Sequence, residues 1–212
     1  MIEVKQLSKS FGQVRAVDEV TFDLPAGGSL VIVGPSGSGK TTLLRLIAGL
    51  EIPDRGEILI NGALASQPGW AMAPHQRGIG FVFQTPCLWP HMTVAQNILF
   101  GLQNLPREVA RRRLHELLEQ TSLSGLEGRY PSQLSGGEAR RVAVARTLAP
   151  RPRCLLMDEP LTNLDPDLRT KLLAVIKASV EQQGSCLLYV THDRDEAACI
   201  SDRNLTLRDG RL

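Results

Sequence analysis

The residues of this chain with the most specific chemistry lie at positions 34–41, which read Gly-Pro-Ser-Gly-Ser-Gly-Lys-Thr. An apolar run at 30–33 precedes them and leucines at helical spacing follow them, so the predicted order is strand, glycine loop and helix. Glycines at 34, 37 and 39 let backbone N–H groups approach an anion, because side chains there would block the approach. In this context the pattern predicts a loop that binds nucleotide phosphates, a P-loop.

Two side chains at the end of the P-loop complete this chemistry. Lys40 supplies an ammonium group for the β- and γ-phosphates, and Thr41 supplies a hydroxyl ligand for Mg²⁺. The alternative is a glycine turn that opens a helix by chance, which the strand before it and the helix after it disfavour. The sequence therefore predicts that the chain binds a nucleoside triphosphate.

A second group of reactive residues ends the apolar run at 154–157, where Asp158 and Glu159 follow each other. Ligands of open α/β sheets lie at the carboxyl ends of strands, so we expect both carboxylates to face the phosphates. Asp158 is suited to hold Mg²⁺, and Glu159 to polarise the attacking water as a general base. Taken alone the pair is as readily a solvated turn, but the upstream P-loop favours the catalytic interpretation.

A third group, at 134–138, reads Leu-Ser-Gly-Gly-Glu and precedes a helical run. Ser135 and Glu138 form an S-x-x-E capping box, so one interpretation is a well-capped helix. Two glycines after the capping serine also predict a second group of backbone N–H donors that is suited to phosphate. Two phosphate-binding helix starts in one chain require an explanation.

The bulk properties exclude several classes of protein. A net charge of +2 over 212 residues gives no reason to expect a nucleic-acid partner. No apolar stretch approaches the ~20 residues of a membrane span, and the N-terminus does not resemble a signal peptide. The spacing of the cysteines favours reduced thiols in the core over zinc ligands or disulfides; they are Cys87, Cys154, Cys186 and Cys199.

The periodicity predicts an α/β core interrupted by a helical subdomain at about 86–149, within a single domain of residues 1–212. Asn61-Gly62 predicts a hairpin turn, and residues 63–76 predict a loop. Residues 111–113, all arginine, are interpreted as a solvated helix face, with a partner-binding role as the alternative. Strands are predicted at 2–7, 20–24, 30–33, 57–60, 79–83, 154–157, 186–190 and 204–207, and helices at 40–49, 94–102, 107–121, 139–149, 167–181 and 193–199.

The chain resembles the ATP-binding cassette (ABC) ATPases over essentially all of its length. The matching residues stand in the order and spacing of that family; they are residues 34–41, Gln84, residues 134–138, Asp158, Glu159, residues 163–165 and His192. The resemblance implies a P-loop NTPase core, a mixed sheet flanked by helices, with an antiparallel β subdomain and an inserted helical subdomain. It also implies a head-to-tail dimer in which each ATP lies between the P-loop of one copy and residues 134–138, the signature motif, of the other.

The resemblance assigns roles to individual residues. Phe11 looks like the aromatic residue that stacks on adenine, with a plain core phenylalanine as the alternative. Gln84 looks like the glutamine that senses Mg²⁺ and the attacking water, and His192 like the histidine that contacts the γ-phosphate. Asp165 resembles the aspartate at the seam between cassettes. The nucleotide-binding residues implied in all are Phe11, Gly34, Pro35, Ser36, Gly37, Ser38, Gly39, Lys40, Thr41, Thr42, Ser135, Gly136, Gly137 and Asp165.

One departure from the family pattern is Glu138, where glutamine is the commoner residue. Its carboxylate favours the helix dipole and the capping box, but it also brings negative charge toward a triphosphate. We expect a slight weakening of binding, which Arg140 and Arg141 offset.

The resemblance implies the ATP-hydrolysing subunit of a transporter, attached to separate permease subunits at the cytoplasmic face of the inner membrane. Soluble ABC proteins of translation or DNA repair are an alternative, as are P-loop kinases, which would not need the signature motif. Residues 86–94 and 161–165 look most like bacterial importers fed by binding proteins for iron, sulfate, molybdate, thiamine or polyamines. Exporters and lipoprotein-release systems are the runner-up. We expect no C-terminal regulatory domain of the maltose-importer type after Leu212.

The same resemblance makes residues 86–94 the region that receives a helix of the permease. The Leu88-Trp89 pair, bounded by prolines, predicts an exposed apolar patch of the kind that marks partner sites. The alternative is that Trp89 belongs to the core of the helical subdomain.

Overall fold

The computed structural model describes residues 1–201 and 203–212. The strands are β1 (Ile2–Phe11), β2 (Val14–Leu24), β3 (Ser29–Val33), β4 (Arg55–Ile60), β5 (Ala63–Gln67), β6 (Trp70–Ala71), β7 (Ile79–Val82), β8 (Cys154–Asp158), β9 (Cys186–Thr191) and β10 (Asn204–Thr206). The helices are α1 (Lys40–Ala48), α2 (Val94–Leu99), α3 (Arg107–Gln120), α4 (Gly136–Leu148), α5 (Pro166–Gln183) and α6 (Arg194–Ile200). Short 3₁₀ turns cover Pro74–Gln76, Phe100–Leu102 and Pro131–Gln133.

The chain divides into two compact units. The first unit contains Met1–Phe81, Arg153–Glu159 and Val180–Leu212, and the second contains Val82–Pro152 and Pro160–Ser179. Both five-stranded sheets have most of their strands in the first unit, and helices α2, α3 and α4 belong to the second. The predicted α/β fold class is confirmed.

An antiparallel sheet of order β2-β1-β4-β5-β6 forms one layer of the first unit. Its β4–β5 hairpin turns at Asn61 and Gly62, whose φ values of 52° and 78° are the two positive angles that this turn type requires. The predicted loop at 63–76 is wrong, because β5, β6 and a 3₁₀ turn occupy it. Both strands are short and lack β-branched residues, so the pairing of β5 with β4 and of β6 with β5 leaves little pattern in the sequence.

A second sheet has the order β10-β3-β9-β8-β7, and its β10–β3, β3–β9 and β9–β8 pairs are parallel. Strands β8 and β9 are buried along their whole length, which explains their continuous apolar runs. The carboxyl ends of β3, β8 and β9 meet at one edge and lead into the P-loop, Asp158-Glu159 and His192 respectively. The sheet thus brings three sequence motifs to one edge.

Two further predictions concern the state of the cysteines and the presence of membrane-spanning segments. Cys154 and Cys186 are buried at paired positions of β8 and β9, as predicted, but Cys87 and Cys199 are exposed rather than in the core. All four are free thiols. Among the helices of the described residues, none is both long enough and apolar enough to cross a bilayer.

Candidate functional site

The P-loop is a tight backbone turn at the start of α1. Gly39 is the N-cap of α1 with a φ of 102°, and as a glycine it has no side chain to cap this end of the helix. A Cβ at Gly39 would collide with the carbonyl oxygen of Ala16, and one at Gly34 would collide with that of Leu207. Gly37 also has a positive φ, but a Cβ there would point into open space. The loop can therefore form only with glycine at 34 and 39.

The ammonium group of Lys40 lies folded into the P-loop. Its side chain is 5% exposed, and Nζ donates hydrogen bonds to the carbonyl oxygens of Gly34 at 2.8 Å and Pro35 at 2.9 Å. Ser38 Oγ, which lies next to Gly34, is buried with no hydrogen-bond partner among the described residues. A cation and an unsatisfied hydroxyl group in a glycine-rich loop before a helix fit the phosphates of a nucleotide.

Asp158 and Thr41 supply oxygen ligands next to this loop. Asp158 is 2% exposed at the end of β8, and burial raises the pKa of its carboxyl group, which a hydrogen bond with Thr41 partly counteracts. Carboxylate and hydroxyl oxygens are the donors that Mg²⁺ prefers. The donor set fits the cation, and a bound cation would relieve the cost of the buried carboxylate.

Glu159 lies between Lys40 and His192. Its Oε1 is 3.8 Å from Lys40 Nζ, and its Oε2 is 3.1 Å from His192 Nδ1. The Glu159 backbone has a φ of 46°, and its N–H donates to Val190 O at 2.9 Å. A left-handed glutamate costs ~1–3 kcal/mol and is typical of functional sites. The structure therefore brings three predicted catalytic residues into one group.

A buried glutamate holds the segment that carries His192. Glu196 is 3% exposed, and its Oε2 accepts hydrogen bonds from Tyr189 Oη at 2.9 Å and Thr191 Oγ1 at 2.8 Å. Thr191 Oγ1 in turn accepts from the N–H of Asp193 at 3.0 Å. Sequence analysis missed Glu196, because a glutamate in the first turn of a helix predicts only a favourable dipole interaction.

Phe11 stands at the end of β1 with 48% of its surface exposed. Lys9 Nζ lies 5.5 Å from the centre of its ring. The alternative of a core phenylalanine is therefore wrong, and the ring is free to stack on a ligand.

In the second unit, the signature motif forms a complete capping box. Ser135 Oγ accepts from Glu138 N at 3.2 Å, and Glu138 Oε2 accepts from Ser135 N at 2.7 Å. The Ser135 N–H is the main cause of the lowered pKa of Glu138, to which Arg141 also contributes. The carboxylate at the unusual position is thus held in the cap.

Gly137 and Asp165 lie in the same unit as this cap. A Cβ at Gly137 would lie 3.2 Å from the side chain of Leu164, which is tighter than an ordinary contact. Asp165 Oδ1 accepts from Leu168 N at 3.0 Å, so this carboxylate stabilises the first turn of α5.

Arginines of α4 hold the segment around Gln84. Arg140 donates to the carbonyl oxygen of Gln84 at 3.1 Å, and Arg146 donates to those of Pro86 at 3.1 Å and Cys87 at 2.8 Å. Gln84 itself is exposed. From the sequence, Arg140 was assigned only a role in charge balance. Its hydrogen bond to Gln84 could not be predicted, because every residue has a backbone carbonyl and the sequence does not show which one an arginine contacts.

The side chain of Asn97 holds the loop at 88–93 through hydrogen bonds to its backbone. This residue is fully buried; it accepts from Trp89 N at 3.0 Å and donates to the carbonyl oxygens of Met92 and Thr93 at 3.1 Å. The Trp89 ring is half-buried, with its centroid 4.2 Å from that of Phe100. Trp89 therefore belongs neither to a fully exposed patch nor to the core.

The predicted site residues divide between the two units. The first unit holds Phe11, residues 34–42, Asp158, Glu159 and His192, and the second holds Gln84, Ser135, Gly136, Gly137 and Asp165. Within the first unit, the P-loop, the two carboxylates and the histidine form one site.

Comparisons with known proteins agree with this geometry. A family model described as "ABC transporter" matches residues 17–162. The whole chain is 46% identical to a sulfate/thiosulfate import ATP-binding protein, CysA, of Thermosynechococcus vestitus, and matches 62% of that protein. It is 46% identical to an Fe(3+) ions import ATP-binding protein, FbpC, of Pseudomonas fluorescens, and matches 60% of it. The chain thus spans about three-fifths of the length of these curated relatives.

Two solved structures resemble the whole chain at 32% sequence identity, and the chain covers 96% of each. One is the dimeric structure of MJ0796, a bacterial ABC transporter cassette, with a TM-score of 0.92. The other is a dimeric post-hydrolysis state of the same cassette bound to ADP and Pi, with a TM-score of 0.90.

Proposed function

This chain belongs to the ABC transporter family, and we propose that it binds and hydrolyses ATP to power import through separate membrane subunits. The observation that carries the proposal is the group formed by Lys40, Glu159 and His192 at the start of α1, with contacts of 3.8 Å and 3.1 Å. A phosphate cradle and a carboxylate that is held beside it are the two parts that triphosphate hydrolysis requires.

The roles of the residues follow from their positions. Lys40 and the P-loop amides hold the β- and γ-phosphates, and Phe11 stacks on the adenine ring. Asp158 and Thr41 would hold Mg²⁺, which when bound neutralises charge on the phosphate oxygens, while the role of Gln84 toward Mg²⁺ rests on the family resemblance. Glu159 takes the proton of the attacking water, while His192 orients the Glu159 carboxylate and faces the γ-phosphate.

The signature motif serves a second copy of the chain. Ser135, Gly136 and Gly137 would contact the ATP that is bound to the P-loop of the partner, and Asp165 would lie at the seam. The dimeric cassettes that share 32% of the sequence support this arrangement. The same proposal treats the helices at about 86–149 as a subdomain of one nucleotide-binding domain.

Import is favoured by the relatives, whose names specify import of sulfate or thiosulfate and of Fe(3+) ions. We infer that permease subunits hold the chain at the cytoplasmic face of the membrane and that a substrate-binding protein delivers the cargo. Half-buried Trp89, supported by Asn97, lies in the loop that would meet the permease.

Mixing two inactive variants tests the shared site. Lys40→Ala removes the P-loop cation and Ser135→Arg blocks the signature motif, so each homodimer has damage in both of its sites. About half of the dimers in an equal mixture pair the two variants, and each of these has one intact site and one doubly damaged site. We expect ATPase activity to reappear on mixing and to rise faster than linearly with total protein. A mixture as inactive as its components would contradict the shared site.

A further inference from the structure

A pocket of about 550 Å³ lies within the second unit, away from every residue to which a role has been given above. Its walls come from the 3₁₀ turn after α2, from α3 and from the turn after α4. The lining residues are Gly101, Leu102, Asn104, Leu105, Val109, Arg112, Arg113, Glu116, Ala149, Pro150 and Arg151.

The charges that line this pocket are mostly positive. Arg112, Arg113 and Arg151 face it with a single carboxylate, Glu116, so its formal charge is +2. Glu116 compensates weakly, because its Oε2 is 3.5 Å from Arg113 Nη1, at the limit of a hydrogen bond. The lining therefore has an excess of positive charge without a partner in the pocket.

Arg113 is the most constrained of these arginines. Its side chain is 13% exposed, Nη2 donates to Leu148 O at 3.2 Å, and Nε has no hydrogen-bond partner among the described residues. Burial, and then the like charge of Arg151, lower the pKa of Arg113. A largely buried guanidinium that feels the like charge of a second one is stabilised by an anion that both can contact.

The remaining wall of the pocket is apolar. Leu105 and Val109 are 44% and 37% exposed, and Pro150 and Ala149 continue the surface from the other side. Pockets with apolar walls and a few convergent polar groups, with volumes of roughly 300–1,000 Å³, are typical of small-molecule sites. The apolar wall would accept the uncharged part of a ligand whose anionic group lies on the arginines.

We propose that this pocket binds a phosphate monoester with an apolar ester group. A phosphate monoester carries about −1.5 to −2 charges at pH 7, which matches the formal charge of the lining. Its oxygens accept paired hydrogen bonds from guanidinium groups, whereas an isolated lysine would offer only a point charge. The interpretation of residues 111–113 as a solvated face therefore holds for Arg111 and Arg112, which are exposed, but not for Arg113, whose side chain is 13% exposed.

The test measures the affinity for phenyl phosphate by isothermal titration calorimetry, with excess ADP present to occupy the P-loop. The pocket variant is Arg112→Gln with Arg151→Gln, both exposed positions where folding should survive. The matched control is Arg107→Gln with Arg111→Gln, which removes the same charge from exposed positions on α3 outside the pocket. Thermal unfolding of each variant checks that the fold is intact.

We expect wild type and the control to bind phenyl phosphate equally and the pocket variant to bind at least about 10-fold more weakly. Phenol and inorganic phosphate should each bind more weakly than phenyl phosphate. Equal affinities in the two double variants would overturn the proposal, as would inorganic phosphate binding as tightly as the ester. Failure here leaves the proposed ATPase function unaffected, because no hydrolysis is measured.

A second arm identifies the source of the phosphate group. Vesicles that contain phosphatidic acid are sedimented with wild type and with both double variants. Co-sedimentation that only the pocket variant loses assigns the site to a lipid phosphate, and binding of phenyl phosphate without co-sedimentation assigns it to a soluble ester. Co-sedimentation that both double variants lose equally would reflect general charge and contradict a lipid-specific pocket.

Discussion

The two helix starts that the sequence marks as anion sites differ in how their ends are satisfied. Helix α1 begins at Gly39 without any side-chain cap, whereas α4 begins at Ser135 with a complete capping box. Backbone contacts require glycine at Gly34 and Gly39 of the P-loop, but a Cβ at Gly136 would meet nothing within 4 Å. The first site is a preformed cradle that leaves its donors to a ligand, and the second is a self-capped, exposed surface, which under the proposed function is completed by a second copy of the chain.

Helix α1 is also anchored at its other end, by Arg77. This residue is 5% exposed, and burial lowers its pKa to about 10. Within the described residues, the oxygen atoms that accept its hydrogen bonds belong to no carboxylate; they are those of Leu46, Ile47, Ala65, Ser66 and Met72. The P-loop helix is therefore held at its C-terminal carbonyls as well as at its N-terminal turn, as expected of a rigid cradle.

The largest difference between the two helix starts should appear on adding a methyl group. Gly39→Ala forces a Cβ against Ala16 O at a φ of 102°, so we expect a loss of ~3 kcal/mol or more of stability, together with loss of ATP binding. Gly136→Ala is the matched change at a roomy position and should leave the melting temperature within a few degrees of wild type. Thermal unfolding and equilibrium ATP binding are the measurements. Equal behaviour of the two variants would erase the distinction drawn here.

A smaller effect is expected at Glu196, which holds the segment that carries His192. Glu196→Gln replaces the charged acceptor of Tyr189 and Thr191 by a neutral one, so we expect kcat to fall about 10-fold through misplacement of His192. KM for ATP should change little, because Lys40 and the P-loop are untouched. Glu119→Gln, on the exposed face of α3, is the control. If Glu196→Gln instead lowers the melting temperature and raises KM for ATP, the role of Glu196 is purely structural.

The smallest expected effect is on stability and not on activity, and it concerns Asp158 in the P-loop site. Because the native pKa of Asp158 is raised above 3.8, the native state binds a proton more tightly than the unfolded chain, and stability falls as pH rises through that interval. Asp158→Asn removes this cost, so the variant should melt a few degrees higher than wild type at pH 7, roughly 2–4 °C for each kcal/mol. The difference should vanish below pH 3.8. Melting curves across pH check this, and a variant less stable at pH 7 would contradict it.

Sequence reasoning reached the parts of the fold in which residue type and local spacing carry the signal. The P-loop, the apolar strands and the Asn61-Gly62 turn are of this kind, and the structure contains each of them. Strands β5 and β6 were not predicted, because they are strands through their pairing with neighbouring strands and not through their composition. The structural role of Arg77 was not predicted, because its hydrogen-bond partners are mainly backbone carbonyls up to 31 residues away in sequence.

The site was predictable to the same extent. Motif spacing led to Lys40, Asp158, Glu159 and His192, which the structure places together. Glu196 depends on a buried contact across a turn, and the pocket at Arg113 depends on which face of α3 packs against the turn after α4. Neither leaves a pattern in one sequence. The roles of the individual site residues and the limits of the helical subdomain stay predictions.

The most direct test of the proposed chemistry separates binding from hydrolysis at Glu159. Glu159→Gln keeps the shape of the side chain but cannot take a proton, and proton-transfer assistance is worth ~10²–10⁴-fold in rate. We predict that the variant binds ATP as wild type does, accumulates as an ATP-bound dimer, and hydrolyses ATP at least ~10²-fold more slowly in single-turnover experiments. Hydrolysis at the wild-type rate in Glu159→Gln would contradict the account.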